Sequence, residues 1–291
     1  MTLPAGGCTS RRLWLAAAGA VAAIGAGALA PAAARAAAPS VLPRNRAVPG
    51  GVAVLALGAA EQRPVVMLGS QPVLVTGDPQ GWHAVVGLAL SLEPGPVSVQ
   101  VRIAGQPARS RTIQLQPAGY AEQRLNVPRR QVDLSPEDLA RYQREREHLA
   151  RVVATRSARL PASLRMRVPV PGPRSSSFGL RRIFNGQSRS PHSGMDIAAP
   201  TGTPVACPLD GQVIDTGDYF FPGRCVWLDH GSGVLSLYAH LDSIGVEAGR
   251  ELAAGEVLGT VGATGRVTGP HLHWSVVLNR AYVDPALFID G

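Results

Sequence analysis

Pro191-His192-Ser193-Gly194-Met195-Asp196 is the stretch from which the rest of this 291-residue chain can be read. Two later segments belong with it, Tyr238-Ala239-His240-Leu241 and Pro270-His271-Leu272-His273-Trp274. Five of the seven histidines lie from His192 onward, and four of those fall in these three segments beside one aspartate. Two imidazoles and a carboxylate suit a catalytic zinc site, which keeps its fourth position for water. The other two imidazoles are then left to act on that water and on a substrate.

Each piece is weak alone. His192 and Asp196 are separated by three residues, with Gly194 between them permitting a tight turn. Chance accounts for most occurrences of such a pair. His271 and His273 say more: in a strand, positions i and i+2 share a face, so both rings point into one groove about 7 Å apart. One of them can bind metal while the other reaches the bound water or the substrate. Tyr238-Ala239-His240 ends another strand-like run and adds a third face. A single histidine of this kind is usually structural or exposed, but four together with Asp196 and many turn glycines are not separate accidents.

Outward from these segments, residues 164–291 read as strands. Pro204–Pro208, Gln212–Thr216, Arg224–His230, Val234–Leu241, Glu256–Val261 and His273–Leu278 are expected to form one antiparallel sheet, with Gly211, Gly231-Ser232-Gly233, Gly255 and Gly262 at its turns. His230 leads straight into Gly-Ser-Gly and reads as a turn residue. Upstream, Val52–Leu57, Val65–Leu68, Pro72–Val75, His83–Leu90, Val97–Ile103 and Arg111–Leu115 are short runs between turn residues, which argues for a β-sandwich. Trp82-His83 in that region reads as packing and surface. Between the two regions a helix starts at Leu134 to Asp138, where Ser135 caps, Pro136 fits the first position and Glu137 and Asp138 suit the positive end. Its continuation to Val153 is rich in Arg and Glu and reads as a surface connector, with His148 solvated and Arg141–Glu145 and Glu147–Arg151 able to pair. Pro161, Pro169, Pro171 and Pro173 end the helical pattern.

The expected chain is therefore mainly β. It has an export signal peptide over residues 1–36, an N-terminal β-sandwich-like domain over 40–130, a connecting helix and Pro-containing linker over 131–163, and a C-terminal antiparallel β-sheet domain over 164–291.

The C-terminal block resembles the M23 zinc metallopeptidases of the lysostaphin and LytM type. The resemblance rests on Ser177-Phe178-Gly179, the run from Pro191 through Asp196 to Val205, Gly211, Tyr238 to Leu241, and Gly262-x-Thr264-Gly265-x-x-Thr268-Gly-Pro-His271-Leu-His273-Trp274. The segment before it resembles the small β-rich domain that precedes the peptidase in some bacterial members. The resemblance implies one zinc ion per chain, held by His192, Asp196 and His273. It gives His271 the general-base role and His240 a role in the transition state. Asn185 lies upstream of His192 and is not assigned the latency role that an asparagine plays in some members. The implied substrate is peptidoglycan, with hydrolysis of its peptide crosslinks and the D-Ala–diaminopimelate link favoured. A non-catalytic or latent zinc-binding regulator of other wall hydrolases is the rival, and the presence of all three ligands and both further histidines argues against it.

Lysine is absent, so all 28 basic residues are arginine, and the formal net charge is +8. That balance could suit nucleic acid, an anionic membrane or an acidic polymer, but no nucleic-acid motif accompanies it and nucleic acid is not an expected partner. Ser10-Arg11-Arg12-Leu13-Trp14-Leu15, the uncharged run Ala16–Ala30 and the small-x-small sites Ala34-Arg35-Ala36 and Ala36-Ala37-Ala38 make up the export signal. Its start resembles a twin-arginine signal. The apolar run is short of the about 20 residues that a membrane span needs, so no stable anchor is expected after cleavage. The mature protein is expected in the periplasm or cell envelope. Cys207 and Cys225 would remain as an even pair, open either to a bridge or to two buried thiols.

Overall fold

A computed structural model describes residues 41–125, 134–188 and 190–290. The export signal expected over residues 1–36, the end of the expected N-terminal domain (126–130) and the start of the expected linker (131–133) lie outside the described residues. Among the described residues no helix is long and apolar enough to cross a membrane.

The N-terminal strands are β1 (Val52–Gly58), β2 (Val65–Leu68), β3 (Gln71–Pro72), β4 (Leu74–Asp78), β5 (Gly81–Gly87), β6 (Gly95–Arg102) and β7 (Arg109–Leu115). They form two antiparallel sheets ordered β1-β5-β4 and β3-β2-β6-β7. Val66, Trp82, Ala84, Val86, Val99 and Leu115 are among the residues packed between them. Trp82 also donates its indole N–H to Ala60 O at 2.9 Å, so its polar edge is satisfied. The three-stranded sheet is covered on both faces. Its period of two sends Ala84 and Val86 of β5 into the sandwich, while Val85, Val52 of β1 and Leu74 of β4 join the core of the C-terminal sheet. Asn279 pins the two regions together, accepting from Gly87 N–H at 2.7 Å and donating to Gly87 O at 2.9 Å.

β8 (Glu122–Leu125) leaves the sandwich, and α1 (Pro136–Val153) follows. Ser135 Oγ accepts the Asp138 N–H at 3.1 Å, as the capping pattern requires. The helix is more than the surface connector expected. Val152 is buried, and Leu149 and Val153 pack with it against Trp227, Leu235 and Leu237 of the C-terminal sheet. Three apolar positions spaced i, i+3 and i+4 are a narrow stripe, but enough to seat a helix otherwise covered in charge. Glu145 pairs with Arg141 at 2.6 Å and accepts Phe220 N–H at 2.7 Å. His148 is not simply solvated: it lies 2.8 Å from Asp215 Oδ1 and stacks on Tyr219.

The remaining strands are β9 (Arg174–Ser176), β10 (Arg181–Phe184), β11 (Gln187–Ser188), β12 (Met195–Ile197), β13 (Pro204–Ala206), β14 (Gly211–Tyr219), β15 (Gly223–Gly231), β16 (Val234–Ile244), β17 (Glu251–Leu252), β18 (Val257–Val261), β19 (Leu272–Leu278) and β20 (Ala281–Val283). Ten of these make one antiparallel sheet, with the path β17-β14-β15-β16-β19-β12-β9, β18 between β13 and β16, and β20 beside β19. β10 pairs with β11 and, in parallel, with β8. Tyr238, Trp274, Val276 and Phe288 help fill the inner face of the large sheet, and each such side chain stabilises the fold by roughly 1.5–3 kcal/mol. On the opposite face Ala239 and Val277 meet α1, and His273 shares the parity of Val277. Cys207 and Cys225 lie in separate apolar clusters, both buried and free, so of the two readings left open the thiols hold.

Candidate metal centre and catalytic groove

Asp196 is the middle residue of β12, and its neighbours Met195 and Ile197 both belong to the inner core. Alternation therefore turns Asp196 to the other face, opposite its cross-strand partner His273 on β19. His273 is set the same way, between Leu272 and Trp274, which are wholly buried. His192 lies in the loop before β12. That loop is tied down by Gly179 N–H to His192 O at 2.8 Å and His192 N–H to Leu180 O at 3.0 Å. Gly194 is needed there for a reason different from turn formation. A Cβ at Gly194 would lie 2.7 Å from the His273 ring and 2.6 Å from Trp274 O.

Three donor atoms converge. Asp196 Oδ1 is 3.0 Å from His192 Nε2 and 2.9 Å from His273 Nδ1, and the two nitrogens are 3.0 Å apart. The other nitrogen of each ring is committed: His192 Nδ1–H donates to Ser177 O at 2.9 Å, and His273 Nε2–H faces Ser275 Oγ at 2.9 Å. The carbonyl chooses the tautomer that aims the His192 Nε2 lone pair at the centre, and the Ser275 hydroxyl accommodates the one that aims His273 Nδ1 there. Three lone-pair atoms so close need a proton or a cation among them. Ligands of a tetrahedral zinc, at about 2.0–2.1 Å from the metal, are about 3.3 Å apart, so the cluster fits the ion after a slight expansion. Burial works against charge on Asp196, but the contacts with His192 and His273 outweigh it and hold the carboxyl far below its usual range. Burial also pushes the His273 imidazole down. A carboxylate and neutral imidazoles are the forms that bind metal.

His240 and His271 stand beside this centre. His271 Nε2 is 3.8 Å from Asp196 Oδ1. The His240 and His271 ring centres are 4.9 Å apart, and His240 is 5.8 Å from His273. Both rings donate Nδ1–H to a backbone carbonyl, His271 to Gly269 at 2.8 Å and His240 to Thr264 at 3.0 Å. In the neutral ring each thus presents its Nε2 lone pair. Burial first, then the neighbouring His273 and His271, pushes the His240 pKa down to about 3, so this ring is neutral at pH 7. Its backbone φ of 64° is left-handed, a strained state for a residue with a Cβ. The arrangement can hold a cation with two basic nitrogens poised next to it.

His192, Asp196, His240, His271 and His273, all singled out from the sequence, are brought together. Ser275 and the carbonyls of Ser177, Thr264 and Gly269 were missed. The period of two that linked His271 to His273 extends to Ser275, whereas a carbonyl carries no side-chain signal.

Comparison with known proteins adds the lineage. Residues 190–285 match the model of Peptidase family M23, and residues 45–113 match the Peptidase family M23 N-terminal domain. A solved structure of an M23 peptidase from Pseudomonas aeruginosa is 42% identical, covers 84% of this chain and 95% of that chain, and superposes with a TM-score of 0.71. The chain belongs to peptidase family M23. It is 41% identical over 105 residues to peptidoglycan DD-endopeptidase ShyA of Vibrio cholerae, a match covering 36% of this chain and 24% of that protein. DD-carboxypeptidase/endopeptidase Mpg of Neisseria meningitidis is 42% identical over 111 residues, covering 38% of this chain and 26% of that protein. The chain thus spans about a quarter of the length of these curated M23 relatives.

Proposed function

We propose that this chain is a zinc-dependent endopeptidase that hydrolyses the peptide crosslinks of bacterial peptidoglycan, at the D-Ala–diaminopimelate bond. One observation carries the reading: three converging donor atoms lie beside two imidazoles whose Nδ1 atoms are each tied to a backbone carbonyl. The names of the relatives support the substrate, and the expected export signal, with its twin-arginine-like start, fits a site of action in the periplasm or cell envelope.

His192, Asp196 and His273 would hold one zinc ion, which supplies Lewis acidity toward the scissile carbonyl and the attacking water. His271 takes the proton of that water at Nε2, its Nδ1–H staying on Gly269 O. His240 presents a bare Nε2 in this geometry and accepts a hydrogen bond from the attacking water's remaining O–H, taking that second proton as the tetrahedral intermediate collapses. Either ring can then return a proton to the leaving amine. We read residues 40–130 as the sandwich domain and 164–291 as the catalytic domain.

Digestion of purified crosslinked peptidoglycan tests this. Crosslinked dimers are expected to become monomers, to persist when a chelator is added, and to be cut again when zinc is restored. Intact dimers in the presence of zinc would overturn the reading.

A further inference from the structure

β15 and β16 pair with Arg224 opposite Leu241 and Val226 opposite Tyr238, with a register shift between the two pairs. A side chain from elsewhere enters the ladder at that shift. Arg224 N–H donates to Thr264 Oγ1 at 2.9 Å, and Thr264 Oγ1–H donates to Leu241 O at 2.8 Å. A hydroxyl, which is donor and acceptor at once, bridges the two strands where a direct bond would otherwise close them. The residue before Leu241 is His240, whose φ is 64° and whose N–H donates away to Pro222 O at 2.8 Å. The backbone carbonyl of Thr264 accepts the His240 Nδ1–H at 3.0 Å.

The approach of this loop depends on two glycines. A Cβ on Gly265 would lie 2.4 Å from Gly223 N and 2.5 Å from Phe221 O, and one on Gly223 would lie 2.4 Å from Gly265 N. Backbone touches backbone there, which leaves Thr264 directly over the strand opening.

We propose that Thr264 is a positioning residue for His240. Its hydroxyl wedges β15 from β16 so that His240 keeps its left-handed backbone, and its carbonyl selects the tautomer that leaves Nε2 facing the groove. The catalytic consequence rests on the endopeptidase reading; the wedge itself rests on the hydrogen bonds.

Thr264→Val keeps the side-chain shape and removes the hydroxyl, while Thr264→Ser keeps the hydroxyl. In the full chain, nitrogen NMR of the imidazoles is expected to show His240 protonated at Nδ1 in the wild type and in Thr264→Ser, and altered in Thr264→Val. On a crosslinked muropeptide dimer, Thr264→Val should lose about 10- to 100-fold in kcat with KM changed by less than about threefold. Its zinc content should match the wild type, and Thr264→Ser should recover most of the turnover. An unshifted His240 signal in Thr264→Val, or a Thr264→Ser protein as impaired as Thr264→Val, overturns the proposal. Where Thr264→Val does not fold, Gly265→Ala, which pushes the same loop off Gly223, takes its place with the same supporting and contrary results. A wild-type chain that binds zinc but leaves the dimer intact would sink the endopeptidase reading alone, because the NMR comparison tests the wedge without it.

Discussion

His192 and His273 offer different nitrogens to one centre because Ser177 O takes the Nδ1–H of the first and Ser275 Oγ holds Nε2 of the second. Removing a donor differs from removing an orienting group. His192→Ala and Asp196→Ala are expected to lose both bound zinc and activity, read by metal analysis after dialysis. Ser275→Ala should keep the ion but weaken its affinity by about 10- to 100-fold, measured by competition with a chelator. His230 was read as a turn residue and is instead wholly buried in β15. Its Nδ1 donates to Asp210 O at 2.9 Å, and its Nε2 accepts from Ser236 Oγ at 2.7 Å. Nothing in Asp-His-Gly-Ser-Gly distinguishes a turn from a strand end whose histidine folds inward onto a serine six residues on. Burial holds the His230 pKa below 6.5, so the unfolded chain takes up a proton that the folded chain refuses. Stability is therefore present above about pH 6.5 and is lost as pH falls below it. The melting temperature of metal-stripped protein should drop on acidification from about pH 7 to about pH 5, and drop less in His230→Gln. An equal drop in both would contradict this.

At the scale of elements, the long strands were legible and the short ones were not. β14, β15, β16 and β19 lie where alternating or apolar runs place them. β9 and β12 have three residues each, too few to show any period. β12 nevertheless carries Asp196, which was found through its motif and not through secondary structure. β5 shows a different limit: with both faces covered, Val85 and its neighbours read as a plain apolar run, and the sequence does not say that two cores share it. The join between those cores can be tested at Asn279. Asn279→Ala leaves the Gly87 N–H and C=O without partners and should lower unfolding stability by about 1–3 kcal/mol in urea. Zinc content should not change. A variant as stable as the wild type would show that packing alone holds the regions together.

For the whole molecule, a mainly β chain of family M23 presents a largely buried two-histidine, one-aspartate cluster with two further histidines beside it. In the proposed function the cluster binds zinc while the other two rings move protons during crosslink hydrolysis. His271→Ala separates these roles, because His271 lies next to the centre without being one of its three donors. The decisive measurement compares the wild type with His271→Ala on a purified crosslinked muropeptide dimer, with zinc content determined on the same samples and products resolved by mass. One zinc per chain in both proteins is expected, with turnover lower by about 10²- to 10⁴-fold in the variant. Near wild-type turnover in His271→Ala, or a zinc-loaded wild type that leaves the dimer uncut, would overturn these roles.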